Sequence, residues 1–159
     1  MKAYDHQKFM RLAIKMAQDG IQKGQTPFGA CIVKKGKIIA CTHNIVWKAT
    51  DITAHAEINA IRLACKALNT IDLSGCVIYS TCEPCPMCFS ACHWARIDKI
   101  IYGATICDAK KYGFNELDIF NRNMKRLGKS QIKIVPNILK DENIKLFDFW
   151  KLKNGQNVY

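Results

Sequence analysis

The sequence predicts an α/β fold of three layers, α/β/α, in which a five-stranded mixed sheet is covered by helices on both faces. Three observations point there. Two β-rich runs joined by a tight turn follow a first amphipathic helix. Later short apolar runs alternate with helical stretches, as crossover connections require. A chain of 159 residues is long enough for one full hydrophobic core and too short for two.

Taken in order, Asp5 is expected to cap a helix in which Phe9, Leu12, Ala13, Met16 and Ala17 recur at three- and four-residue intervals, ending between Gly20 and Gly24. "FGACIVKKGKIIACTH" reads as strands at 30–33 and 37–40 around a Lys-Lys-Gly turn. From 53 to 68, Ile58, Ile61, Cys65 and Leu68 draw an apolar stripe, predicting a second helix. "CVIYS" at 76–80 and "KIIYGA" at 99–104 are short buried strands. Between them Pro84 and Pro86 suit the first turn of a helix placed at 85–95, because proline needs no amide hydrogen there. Residues 105–130 read as a loop and a helix, 131–136 as the fifth strand, and 141–152 as a closing helix with Ile144, Phe147 and Trp150 on one face.

Composition excludes several classes. Hydrophobic residues make up 49% and charged residues 23%, as in a globular protein and unlike a disordered one. No apolar run approaches the roughly 20 residues of a transmembrane helix. The first residues turn polar at once, without the apolar stretch of a signal peptide, so a cytoplasmic location is expected. Nine cysteines, an odd count without a secretion signal, are expected as reduced thiols and metal ligands, with Cys31, Cys41, Cys65 and Cys76 acting as small buried hydrophobes. A net charge of +11 favours an anionic partner such as RNA. Arg122, Lys125, Arg126, Lys129 and Lys133 recur at helical spacing and could track phosphates, or simply form a solvated face.

The run "STCEPCPMCFSACHW" at 80–94 places Cys82, Cys85, Cys88 and Cys92 at a spacing shared with iron–sulfur proteins. In those proteins the fourth cysteine is followed by proline and serves a second cluster, whereas Cys92 precedes His93 and no second run exists. A different site fits better. Cys85 and Cys88 project from one face at the start of the 85–95 helix, and His55 lies in the first turn of the 53–68 helix. Three such ligands leave a tetrahedral zinc one corner for water, whose pKa the metal lowers to about 7. Both helix N-termini favour thiolate over thiol. Glu57, two residues past His55, is placed to shuttle protons rather than to ligate. A structural zinc with Cys82 as fourth ligand is the alternative, and it leaves Glu57 without a role.

His55-Ala56-Glu57 followed by Pro84-Cys85-Pro86-Met87-Cys88 is the H-x-E, P-C-x-x-C pattern of zinc-dependent nucleobase deaminases. With "PFGACIV" at 27–33, Asn44, "CHWAR" at 92–96, "GFNE" at 113–116, Trp150 and the terminal Tyr159, the chain resembles the cytidine deaminase-like superfamily, and within it the bacterial guanine deaminase branch. The resemblance implies a single zinc-dependent deaminase domain over 1–159, one Zn2+ per subunit, a homodimer, and a C-terminal helix and tail at 141–159 able to cross to the partner's active site. It makes Asn44 a hydrogen-bonding group for the base, Phe28 and Trp94 parts of the pocket wall, Glu116 the acceptor for a purine's amino edge, and Tyr159 a lid contact. Plainer readings stand beside these: Phe28 and Trp94 as core aromatics, and Asn44 as a turn residue. Guanine deaminases of this kind carry two aspartates where this chain has Asn115-Glu116, so the acid is one methylene longer here. The implied reaction is guanine to xanthine plus ammonia. A tRNA adenosine deaminase shares the chemistry and is the rival; guanosine, cytosine or a triazine are further alternatives. A zinc-stabilised RNA-binding module would bind without releasing ammonia.

Overall fold

A computed structural model describes residues 3–154 and 158–159, with side chains described at 6–153, 158 and 159. Helix α1 (Ala3–Gln22) leads to strands β1 (Gly29–Lys34) and β2 (Lys37–His43), a short α2 (Val46–Ala49), α3 (Ala56–Leu68), β3 (Cys76–Cys82) and α4 (Pro86–Trp94). Then follow β4 (Lys99–Ala104), α5 (Ile106–Lys111), α6 (Asn121–Leu127), β5 (Lys133–Val135) and α7 (Lys140–Asn154). The sheet order is β2-β1-β3-β4-β5. Strand β1 is antiparallel to β2 and β3, while β3, β4 and β5 run parallel. The sheet is therefore mixed and five-stranded, as predicted.

Each sheet face carries its own core. Phe9, Met10, Ala13 and Ala17 of α1 and Leu146, Phe147 and Trp150 of α7 pack with Tyr79 and Ile101 on one side. Ala56, Ala60 and Ala64 of α3, with Phe89 and Cys92 of α4, pack with Ile32, Ile78 and Ile100 on the other. The three layers follow from strands apolar on both faces: β3 and β4 are buried almost throughout. Among the described residues, no helix is long and apolar enough to cross a membrane.

Several elements differ from expectation. Helix α1 begins at Ala3, so Asp5 lies inside its first turn instead of capping it, and the Asp5 side chain is outside the described residues. In α3 the sheet-facing row is Ala56, Ala60 and Ala64; Ile61, Cys65 and Leu68 flank it half-buried. Small side chains at that row let the helix axis approach the strands, and the larger residues seal the margin. Pro86 occupies the first helical position of α4, and Pro84 lies outside the helix. Segment 105–130 holds two short helices rather than one, α5 being closed by a reciprocal capping box between Thr105 and Asp108. The basic residues do not share one helical face: Arg122, Lys125 and Arg126 lie on α6, Lys129 in the following turn at φ 52°, and Lys133 on β5.

Cys31 and Cys41, expected as free thiols, are joined in a disulfide. They are direct partners across the β1–β2 ladder, so the hairpin register itself brings the sulfurs together. Cys76 is buried as expected, and Cys65 is half-buried.

Gly29 allows β1 to lie directly on α1. A Cβ there would fall within contact distance of the Ala13 carbonyl oxygen and the Ala17 amide nitrogen. That close approach sets where the chain enters the site through Phe28.

Candidate active site

The strand β3 ends at Cys82, and the chain turns through Glu83 and Pro84 into α4, whose N-cap is Cys85. The N-cap of α3 is His55. Two helix N-termini thus meet beyond the carboxyl end of the parallel strands, where crossover folds leave a crevice. Neither N-cap side chain makes a capping hydrogen bond, and the imidazole and the thiol face one another.

His55 Nδ1 lies 3.7 Å from Cys85 Sγ and 3.6 Å from Cys88 Sγ. A tetrahedral zinc with ordinary Zn–N and Zn–S bonds needs about 3.6 Å between such donors. The residues fit the metal. Among the described residues, His55, Cys85 and Cys88 form the single group able to hold an ion, with ligand atoms all within 4.8 Å. Cys82 is turned away, its thiol donating to the Thr105 carbonyl at 3.5 Å. Cys92 is fully buried in the core below α4. Among the described residues, neither an iron–sulfur cluster site nor a structural zinc site with Cys82 as fourth ligand is built by this run.

Glu57 is 6% exposed and sits beside this group. Ser80 Oγ donates to its Oε1 at 3.0 Å, and Cys88 Sγ lies 3.6 Å from its Oε2. Burial raises the pKa of Glu57, against the opposing pull of His55. A carboxyl that holds a proton more readily than usual suits proton transfer. The thiols behave as a pair: the hydrogen bond from Cys88 brings Cys85 down to about 4, against the upward effect of burial, while Cys88 is raised. Sequence reasoning missed Ser80. Its position was legible all the same, because Cys76, Ile78 and Ser80 alternate on β3 and the first two face α3.

Glu83 was missed as well. It is 4% exposed and accepts from the Asn121 amide at 2.8 Å and the Ile106 amide at 3.4 Å. Asn121 Nδ2 in turn donates to the Pro84 carbonyl at 2.5 Å. These bonds clamp the Cys85 turn to the segment between α5 and α6, which carries Glu116.

A cavity of about 370 Å³ opens over the site, lined by His55, Cys85, Pro86, Glu116, Leu117 and Tyr159. A narrower recess beneath it is lined by Phe28, Glu57, Glu83 and Glu116. Burial, followed by the charges of Cys85 and Glu57, pushes Glu116 up to about 7. Phe28 is both wall and core, its ring 4.9 Å from Phe114 and 5.8 Å from Phe147. Asn44 is fully buried and has two roles at once: its Oδ1 accepts from the Val46 amide at 3.0 Å, and its Nδ2 donates to the Tyr159 hydroxyl at 2.6 Å. Tyr159 sits over the chain's own site, its ring 5.6 Å from His55 and its carbonyl accepting from the Asn115 amide at 3.1 Å. Of the expected tail, 155–157 lie outside the described residues.

Trp94 is the exception. It is 83% exposed at the end of α4, next to a shallow recess with Ser90, His93, Met124 and Gly128. Nine residues of helix separate it from Cys85, about 13 Å by the helical rise. Within one chain it forms no part of the pocket wall.

Residues 3–104 match the family model described as the cytidine and deoxycytidylate deaminase zinc-binding region. The chain is 45% identical over 117 residues to guanine deaminase of Bacillus subtilis, covering 73% of this chain and 75% of that protein. It is 46% identical over 115 residues to a tRNA-specific adenosine deaminase of Aquifex aeolicus, covering 69% and 74%. Guanine deaminase from Nitrosomonas europaea superposes with a TM-score of 0.85 at 27% identity, covering 92% of this chain and 84% of that one. The metal-binding triad, the buried acid beside it and the match over both zinc motifs agree: the chain belongs to the cytidine and deoxycytidylate deaminase family and is a zinc-dependent aminohydrolase.

Proposed function

We propose that the substrate is guanine, converted with water to xanthine and ammonia. The observation that carries this reading is the Glu116 carboxyl in the wall of the cavity that holds His55 and Cys85. Glu116 accepts hydrogen bonds from the purine's amino edge, and a flexible glutamate reaches farther than an aspartate would. Asn44, buried behind Tyr159, donates to the base once Tyr159 shifts from its amide. Phe28 closes the recess below the ring. Tyr159, folded over the site in its own subunit, shields a small bound base from bulk solvent.

Bound through His55, Cys85 and Cys88, zinc supplies a water made nucleophilic near neutral pH. Glu57 would carry one proton of the attacking water to the ring nitrogen beside the amino-bearing carbon and then the second, from the added hydroxyl, to the departing amine, which leaves as ammonia. Ser80 holds Glu57 by its other oxygen during both transfers. The homodimer expected from sequence remains part of this proposal, since Trp94 lies exposed on the surface.

Ammonia release from guanine, guanosine, adenosine, cytosine and tRNA by the zinc-loaded protein tests the assignment. Guanine should turn over fastest; tRNA deamination with guanine inert would overturn it. Zinc-loaded Glu57→Ala should lose on the order of 10²- to 10⁴-fold in turnover. The tRNA reading has one specific support, the comparable identity to a tRNA-specific adenosine deaminase together with the +11 charge. It predicts binding that weakens steeply with salt.

A further inference from the structure

A second cavity, of about 590 Å³, lies at the opposite end of the sheet from the metal site, where the parallel strands begin. Val77, Ile97 and Ile132 give it an apolar floor, and Arg96, Lys99, Lys129 and Lys133 surround it with positive charge. Asp98 is the one acid in its lining, and its carboxylate accepts from the Gly75 amide at 2.9 Å. Arg96 pairs with Asp72 at 3.0 Å on the exposed rim. Among the described residues, Lys99, Lys129 and Lys133 have no ion-pair partner.

Lys99 and Lys133 are direct partners across the β4–β5 ladder. Like charges facing each other on neighbouring strands are destabilising, so this placement is a local cost that an anion would remove. Lys129 joins them from the turn before β5, and Ser130, bonded at 3.0 Å to His93 of α4, adds a polar group to the wall. Three free ammonium groups around a concave, partly apolar space match several adjacent phosphate charges attached to a less polar body. The volume falls in the usual small-ligand range of about 300–1,000 Å³.

We propose that this cavity binds a nucleoside di- or triphosphate, the lysines holding the phosphates. The cavity and the metal site lie at opposite ends of β3 and of α4, the helix spanning about 13 Å by its rise between Cys85 and the end that carries His93. A nucleic acid presenting a base at the metal site would make its first phosphate contacts at that mouth, at the other end of the sheet. A discrete small ligand is the simpler occupant.

Calorimetric titration of the full-length, zinc-loaded protein with GTP, ATP, pyrophosphate and a single-stranded RNA tests this without reference to the deaminated substrate. GTP or ATP should bind saturably below millimolar concentration and more tightly than pyrophosphate. Lys99→Ala/Lys133→Ala should weaken that binding about tenfold or more, with zinc content and melting temperature retained, and Lys129→Ala should act in the same direction. No saturation by either nucleotide, equal affinity for pyrophosphate, unchanged affinity in both variants, or binding of RNA alone would overturn the proposal.

Discussion

Ser80 on β3 donates its hydroxyl to Glu57 on α3 at 3.0 Å, joining the central strand of the sheet to the acid proposed to move the protons. The bond is buried, so its loss would leave one carboxylate oxygen without that donor. Ser80→Ala should lower kcat by about ten- to a hundredfold, as expected for a hydrogen bond to a charged group worth about 1.5–3 kcal/mol. Zinc content should be unchanged. Steady-state kinetics with metal analysis on the same preparation separates a misplaced proton carrier from a damaged metal site.

The four cysteines of the 82–92 run should divide cleanly in a zinc assay. Cys85→Ser and Cys88→Ser should lose bound zinc, because each removes one of three ligands. Cys82→Ser and Cys92→Ser should keep it, since these thiols point to Thr105 and into the core. Cys92→Ser should instead lower stability by about 1–3 kcal/mol by burying an unpaired hydroxyl. Equal zinc loss in all four would contradict the geometry.

Glu116 should leave a mark on the pH profile. Its carboxyl, raised from 4.5 to about 7 chiefly by burial, accepts most strongly from an amino edge when ionised. The KM for guanine should therefore fall as pH rises through about 7, and Glu116→Gln should remove that limb while raising KM about ten- to a hundredfold. Zinc, a nearby cation, should shift the limb to lower pH. For stability the sign runs the other way. Between pH 4.5 and about 7 the folded chain keeps a proton that the unfolded chain has lost, so this group's contribution declines as pH rises through that window. Denaturant unfolding of the zinc-free protein against pH measures it.

Gly29 tests the seat of the site rather than its chemistry. Gly29→Ala forces a methyl against the α1 backbone and should cost about 1–3 kcal/mol, read as a lower melting temperature. Wild-type turnover per zinc in the fraction that remains folded would show that Phe28 keeps its place.

The metal site was legible in the chain because its ligands come from two short local patterns at helix starts, and each pattern fixes its own geometry. His55 and Glu57 are two residues apart, Cys85 and Cys88 three, and the stretch joining the pairs, with His55 and Cys85 separated by 30 positions, holds one helix and one strand. Strands β1 to β4 were legible for the same reason: apolar runs bounded by turns carry their own signal. Contacts between distant segments were not. The pairing of Cys31 with Cys41 depends on hairpin register, which a one-residue slip would undo. The alanine row of α3 was hidden because apolar size marks a helix's margin as readily as its closest contact.

The amino-acid sequence by itself determined the layered α/β class through periodicity and spacing, and through two short motifs it pointed to His55, Cys85 and Cys88 as a candidate metal group with Glu57 beside it, which the structure brings together. Only the tertiary structure decided that Ser80 holds Glu57, that Glu83 clamps the Cys85 turn, that Tyr159 returns to Asn44, and that Trp94 stands apart. The physical reason is range: helix and strand periodicity is encoded in neighbours, whereas a hydrogen bond across 115 residues exists only once the packed core has brought both ends together.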